Sequence, residues 1–79
     1  MNHQPYHIIL LNKLSRNKVP LVFVNQIDYW IRNNDFESLN NIPNPQIKKF
    51  AKLKLDWEKF KSEKIISEDE IRELELMYL

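Results

Sequence analysis

The chain contains neither cysteine nor glycine in its 79 residues. Without cysteine there are no disulfides and no thiolate metal sites. Without glycine there is no Gly-rich loop to bring backbone N–H groups against a phosphate, so P-loop and dinucleotide-binding folds are excluded. The tight turns of β-hairpins also favour glycine, because they need a backbone with positive φ. The composition therefore favours helices over a nucleotide-binding or hairpin-rich fold.

Asparagine is correspondingly frequent. It is the residue next best suited to positive φ, and the chain contains nine copies, so helices joined by Asn-containing turns fit this composition. Asn, Lys, Ile, Phe and Tyr together make up 34 of the 79 residues. Because all five have A/T-rich codons, we infer an A+T-rich genome, such as that of a low-G+C bacterium or its phage. A small gene from such a source, a phage or mobile element included, often encodes a regulator or inhibitor.

Long hydrophobic runs are also missing. The apolar run at residues 8–11 is too short for a signal-peptide core or a membrane span, so we expect a cytoplasmic protein without membrane contact. A chain of 79 residues forms one domain, and its hydrophobic fraction of 43% is ample for a packed core. A core of this size is marginal by itself, so reinforcement by oligomerisation or by a partner is expected.

Apolar residues recur at helical spacing along most of the chain. The sequence predicts an all-α single domain, a small bundle of about four helices in which the last two form a helical hairpin. The predicted helices cover residues 6–16, 20–33, 45–64 and 67–78. One further helical turn is expected at 35–39 in the connector, and residues 1–5 are expected to fray.

Residues 19–24 admit two interpretations. Their β-branched and aromatic side chains form a continuous apolar run of the kind found in buried strands. Against a strand, Pro20 suits the first position of a helix, and Phe23, Ile27 and Trp30 fall on one helical face. A lone strand would also lack a partner. We favour a helix here.

The third predicted helix, 45–64, has a clear start signal. Asn44 is a suitable N-cap, and Pro45 suits the first helical position. The large apolar residues of this helix fall on one side of a helical wheel: Ile47, Phe50, Leu53, Trp57 and Phe60. The opposite side is basic and contains Lys48, Lys49, Lys52 and Lys59.

The last predicted helix begins at a capping box. In "SEDE", the Ser67 hydroxyl can accept a hydrogen bond from the backbone N–H of Glu70, and the Glu70 carboxylate can accept one from the backbone N–H of Ser67. Negative charge in this first turn suits the helix dipole. The apolar face that follows is expected to contain Ile71, Leu74, Met77 and Tyr78.

Opposite charges separate onto the last two helices. Residues 46–64 contain seven lysines against three acids, a net charge of +4, and residues 65–79 contain one arginine against five acids, a net charge of −4. A basic helix followed at once by an acidic one predicts an antiparallel hairpin in which the two sets of charges face each other.

The segment "KLKLDWEKFKSEKIISEDEIRELELMYL", roughly the last third of the chain, resembles two families of short helical hairpins. One is the SHOCT type, a short oligomerisation module, and the other is the interaction hairpin of the Sin family of sporulation repressors and anti-repressors. Both families have a helix, a brief turn ending in Ile-Ser, and an acid–apolar pair that starts a second helix. The matching positions here are Ile66, Ser67, Glu70 and Ile71, with Leu74 next on that face. The resemblance implies a hairpin that docks on a protein or dimerises.

Few residues are placed to support chemistry. His3 and His7 are four residues apart, a spacing that puts two metal ligands on one helix face, but no carboxylate is near them in sequence and solvated side chains are the favoured interpretation. Asp28, and the pair Asp35 and Glu37, have no nucleophile or oxyanion site beside them. We therefore expect no catalytic residue, no metal site, no cofactor and no enzymatic activity.

The leading hypothesis is a non-enzymatic regulatory or inhibitory protein that binds another protein and forms a homodimer. The segment "LELMYL" contains more large apolar residues than one helix face can bury. Trp57 and Phe60 belong to the binding surface if either is exposed, and they are structural if the core buries them. The candidate partner-binding residues are Trp57, Phe60, Leu76, Met77 and Leu79.

The alternative hypothesis is a small nucleic-acid-binding protein that uses the basic helix 45–64. Aromatic residues interleaved with lysines are typical of proteins that bind single-stranded nucleic acids. Helical spacing instead directs the rings and most lysines to opposite sides, and no recognition helix with base-reading side chains is visible. The candidate nucleic-acid-binding residues are Lys48, Lys49, Lys52 and Lys59.

Overall fold

A computed structural model describes residues 5–79, and within this range the chain forms five α-helices and no strand. The helices are α1 (Tyr6–Arg16), α2 (Leu21–Arg32), α3 (Phe36–Asn40), α4 (Pro45–Ser62) and α5 (Glu68–Tyr78). The predicted all-α bundle is therefore confirmed, and so is the helical interpretation of the apolar run after Pro20.

The four predicted helices lie within two residues of their observed bounds at either end. The predicted turn at 35–39 forms α3, a separate short helix whose N-cap is Asp35. The Asp35 carboxylate accepts hydrogen bonds from the backbone N–H of Ser38 at 3.1 Å and from its hydroxyl at 2.7 Å. Of the segment expected to fray, residues 1–4 lie outside the described residues, and Pro5 lies immediately before α1.

Two positions with positive φ separate the helices where glycine would be expected. Asn34, after α2, has φ 56°, which matches the expectation that asparagine replaces glycine in the turns. Lys64, between α4 and α5, has φ 55°. A lysine at such a position was not expected, because its Cβ disfavours the left-handed conformation.

The core lies between α1 and α4, which form the largest helix–helix interface. The imidazole of His7 stacks on the Phe60 ring with centroids 4.9 Å apart, so the start of α1 lies beside the end of α4. Helices α2 and α3 each add one buried residue. The buried residues are Leu10, Leu11, Leu14, Ile27, Leu39, Phe50, Ala51, Trp57 and Phe60.

Helix α5 lies at the edge of this core. None of its residues is fully buried, and its inward side chains Ile71, Leu74 and Tyr78 are half-buried. Its backbone packs against α1. Its contact with α4, the preceding helix, is made by side chains such as Glu75.

Half of the predicted capping box forms. Ser67 Oγ accepts from the Glu70 N–H at 3.2 Å, but within residues 5–79 the Glu70 carboxylate makes no return bond.

Candidate protein-binding surfaces

Trp57 and Phe60 belong to the core. Trp57 is 0% exposed and Phe60 is 9% exposed, because α4 turns its apolar face directly onto α1. The indole N–H of Trp57 donates to Glu75 Oε2 at 3.0 Å, so its one polar group is satisfied by α5. Because the core buries both rings, neither offers a surface to a partner in this structure. By the criterion given in the sequence analysis, both residues are structural.

Glu75 is the point where α5 is attached to α4. Its Oε2 accepts from Lys61 Nζ at 3.0 Å, and Lys61 also pairs with Glu58 at 2.9 Å. Partial burial acts to raise the pKa of Glu75, but the hydrogen bonds from Trp57 and Lys61 outweigh it and lower that pKa below its ordinary value. Partial burial likewise acts to lower the pKa of Lys61, and the bonds to Glu58 and Glu75 outweigh it and raise that pKa.

The predicted pairing of charges along the hairpin forms only at this point. Within the described residues, the Lys61–Glu75 ion pair is the one that joins α4 to α5. Lys54 of α4 pairs instead with Asp28 of α2 at 3.5 Å. The remaining acids of α5 are exposed: Glu68, Asp69, Glu70 and Glu73.

The four candidate lysines lie together on the outer side of α4. All four are exposed and line one open depression of about 620 Å³, with Asp56 as its single acid. In the described part of the chain none of the four is in an ion pair. We call this surface the lysine face, defined by Lys48, Lys49, Lys52 and Lys59.

The three other candidate residues form an exposed apolar end of α5. Leu76 is 81% exposed, Met77 is 72% exposed and Leu79 is 55% exposed. Because the inward face of α5 is set by the half-buried residues 71, 74 and 78, residues 76 and 77 point away from the bundle. Met77 therefore does not join the inward face, contrary to the sequence prediction. We call Leu76, Met77 and Leu79 the α5 end.

A second apolar surface, at the start of α2, was missed by the sequence prediction. Leu21, Val22 and Phe23 are all exposed, and only Ile27 of this helix is fully buried. The signal was present in the sequence, because three consecutive large apolar residues in one helical turn cannot all face the same core.

Phe23 also borders an open apolar groove between α2, α3 and the start of α4. The groove has a volume of about 520 Å³ and ten lining residues, none of them charged. Four other depressions each contain at least two charged side chains. We call it the neutral groove. The residues that define it are Phe23, Gln26, Trp30, Asn41, Ile42 and Ile47.

Three of the side chains considered for chemistry, His7, Asp28 and Asp35, make structural contacts. His3 lies outside the described residues, and His7 stacks on Phe60. Asp28 pairs with Lys54. The hydrogen bonds from the Ser38 hydroxyl and backbone N–H hold the pKa of Asp35 below its ordinary value, as expected for a helix cap. In residues 5–79, no three histidine or acidic side chains come close enough together to hold a metal ion.

Comparison with protein-family models, with curated proteins and with solved structures finds no match to this chain. The resemblance to SHOCT-type and Sin-family hairpins therefore stays a prediction. No helix formed by residues 5–79 combines the length and the apolarity needed to cross a bilayer. The surfaces themselves are then the basis for inferring a function.

Proposed function

We propose that this chain is a cytoplasmic, non-enzymatic regulatory or inhibitory protein that acts by binding another protein and that forms a homodimer. The observation that supports this most strongly is the α5 end, where three large apolar side chains of one short segment point into solvent. Contiguous exposed apolar surface of this kind marks protein-binding sites. The resemblance of the α4–α5 segment to docking hairpins points to the same class of function.

The energetics favour a protein partner for the α5 end. Burying a leucine or methionine side chain stabilises a complex by about 1.5–3 kcal/mol, and a few such residues dominate most interfaces. Leu76 and Met77 are adjacent on the outer side of α5, so one shallow pocket can receive both. Because Leu76 and Met77 are 81% and 72% exposed, they can be substituted without loss of the fold.

Sedimentation velocity tests this proposal. The wild type should shift from monomer to dimer as its concentration rises from low micromolar to submillimolar, and the variant Leu76→Asp/Met77→Asp should remain monomeric. The matched control is Tyr6→Asp/Ile65→Asp, which places the same charges at two other exposed apolar positions and should behave as wild type. A monomeric wild type at every concentration, with no protein that the wild type binds and the double variant loses, would exclude the proposal.

A second candidate function is binding of nucleic acid by the lysine face. The sequence predicts that the charges of the last two helices face each other, and such pairing would neutralise these lysines. The four lysines are instead exposed and outside every ion pair in the described region, while the acids of α5 lie elsewhere. They are spread over twelve residues of α4, about 16 Å along the helix, which is long enough to contact several phosphates.

Fluorescence anisotropy with labelled single- and double-stranded DNA at low salt tests the second candidate. Binding should weaken steeply with added salt, because contacts with phosphates release counterions. The variant Lys48→Glu/Lys52→Glu should lose it, whereas Lys13→Glu, a charge reversal at an exposed position on α1, should not. The absence of any anisotropy change for the wild type at low salt would remove this candidate.

A further inference from the structure

Helix α5 is held more loosely than the other four helices. Every buried side chain among residues 5–79 belongs to α1–α4, and α5 has the smallest backbone interface of the five helices. An open depression of about 710 Å³ also lies between the end of α4 and the start of α5. Scarce buried contacts and low packing density are features of segments that open while the rest of a protein stays folded.

Trp57 lies directly beneath α5. Its indole N–H donates to Glu75 Oε2 at 3.0 Å, and its side chain is 0% exposed, so α5 covers the N–H edge of the ring. If α5 leaves, water can accept this hydrogen bond in place of Glu75, and no buried donor is left unsatisfied. We propose that α5 is a hinged lid, which moves away as one unit and exposes the indole edge of Trp57 while α1–α4 stay folded.

The turn 63–67 is the hinge of this lid. Glu63, Lys64 and Ile65 are exposed, so little packing opposes a change of backbone conformation there. With the lid closed, Lys64 has φ 55°, which is unfavourable for a residue with a Cβ. Opening relieves this strain, because the chain after α4 can then adopt a common backbone conformation.

The length of α5 makes its opening cooperative. A helix of 11 residues is only marginally stable in water without tertiary contacts, so α5 loses its helical hydrogen bonds when it leaves the bundle. Its backbone amides and the Trp57 indole N–H should therefore meet solvent in the same event. This device goes beyond the proposed function, because it requires no partner.

The open and closed states present different surfaces. With the lid closed, α5 offers its outer residues, and its inward side chains Ile71, Leu74 and Tyr78 are half-buried against the core. With the lid open, these side chains and the edge of Trp57 are accessible. A molecule that binds them shifts the equilibrium toward the open state.

Native-state hydrogen exchange followed by 1H–15N NMR tests this inference. The amides of residues 72–78 should share one protection factor, at least tenfold below that of the core amides of α4. The indole N–H of Trp57 should have the protection factor of the α5 amides, whereas the backbone amide of the same residue should be protected with α4. This split within one residue distinguishes an opening lid from fraying at the end of α5.

A core substitution separates opening of the lid from global unfolding. Ile27→Val removes one buried methylene group from α2, which stays folded when the lid opens. The protection factors of the α4 amides should fall about twofold to tenfold. Those of residues 72–78 and of the Trp57 indole N–H should stay unchanged.

A substitution at Glu75 tests the bond that holds the lid closed. Glu75→Ala should lower the protection factors of residues 72–78 about tenfold or more. The matched control Glu73→Ala, at an exposed acid of the same helix, should change them little. Equal effects of the two variants would contradict the assignment of Glu75 to this role.

Two further results would overturn the inference. Equal protection of the α5 and α4 amides, lowered equally by Ile27→Val, would show that α5 opens only when the whole protein unfolds. A Trp57 indole N–H that stays protected with α4 while residues 72–78 exchange faster would show that α5 frays without uncovering the ring. Measured on dilute protein, these readouts do not depend on dimerisation, so failure of the proposed function would leave them intact.

Discussion

Glu75 determines how α5 is held in place. Its carboxylate is the only partner of the buried Trp57 indole N–H in the described chain, and it also pairs with Lys61, whose Nζ lies 5.7 Å from the centre of the Trp57 ring. The three groups stabilise one another. Removing the Glu75 carboxylate would leave the buried Trp57 N–H without an acceptor and would take one of its ion-pair partners from the half-buried Lys61. Sequence periodicity places Glu75 on the inward side of α5 but does not reveal that Trp57 is its partner.

Two substitutions at Glu75 should separate these effects. Glu75→Gln retains an oxygen that can accept from Trp57 and removes the ion pair with Lys61, so we expect a loss of about 0.5–1 kcal/mol in the free energy of unfolding, a modest value because the side chain is partly exposed to solvent. Glu75→Ala also leaves the indole N–H unsatisfied, and the loss should reach about 2 kcal/mol. Urea denaturation followed by tryptophan fluorescence measures both. Equal losses would show that the Trp57–Glu75 bond does not stabilise the fold.

The pH dependence of stability follows from the same carboxylate. The pKa of Glu75 is lowered in the folded state from an ordinary value of 4.5. Its contribution to stability is therefore complete above the ordinary value and is lost as the pH falls through the folded-state pKa. The free energy of unfolding should fall more steeply in acid for the wild type than for Glu75→Gln. Since Asp35 is present in both proteins, the difference between the two curves isolates Glu75, and parallel curves would contradict this assignment.

The helices show which features the sequence predicts and which it does not. Local signals located α4 closely, because Asn44 accepts hydrogen bonds from the backbone N–H groups of Gln46 and Ile47 as an N-cap should. The orientation of α5 was less predictable. Its net charge predicts ion pairs along α4. Which acids face lysines depends, however, on where α5 lies in the bundle. That position is set by contacts with α1, which is distant in sequence.

The turn between α4 and α5 contains a strained backbone position that can be improved. Lys64 has φ 55°, a conformation that costs a residue with a Cβ about 1–2 kcal/mol and costs glycine little. Replacing Lys64 with glycine removes this cost, but part of the gain in stability is offset by the greater chain entropy that glycine adds to the unfolded state. We expect Lys64→Gly to raise the free energy of unfolding by about 0.5–1 kcal/mol.

Denaturant titration of Lys64→Gly against Lys59→Gly checks this expectation. The control makes the same exchange at an exposed position inside α4, where glycine should destabilise the protein by about 1 kcal/mol. Destabilisation of similar size in both variants would mean that Lys64 is not held in the left-handed conformation.

The whole molecule divides into a core and several exposed surfaces with different chemistry. The aromatic residues of α4 fill the core, so the stretch that most resembled a binding motif in sequence is structural at Trp57 and Phe60. The surfaces left for partners include the lysine face, the α5 end and the neutral groove, and the exposed start of α2 lies beside the groove. Helical periodicity revealed the first two, whereas the groove is formed by α2, α3 and α4 together and no single segment could predict it.

These surfaces make different predictions for the backbone amides of the protein in solution. Two-dimensional 1H–15N NMR spectra recorded over a dilution series should show shifts at residues 76–79, with the amides of the lysine face unchanged. Such a pattern would identify the α5 end as a protein-binding surface at the level of single residues. Spectra that superimpose at all concentrations, or shifts confined to residues 48–59 of α4, would contradict the account.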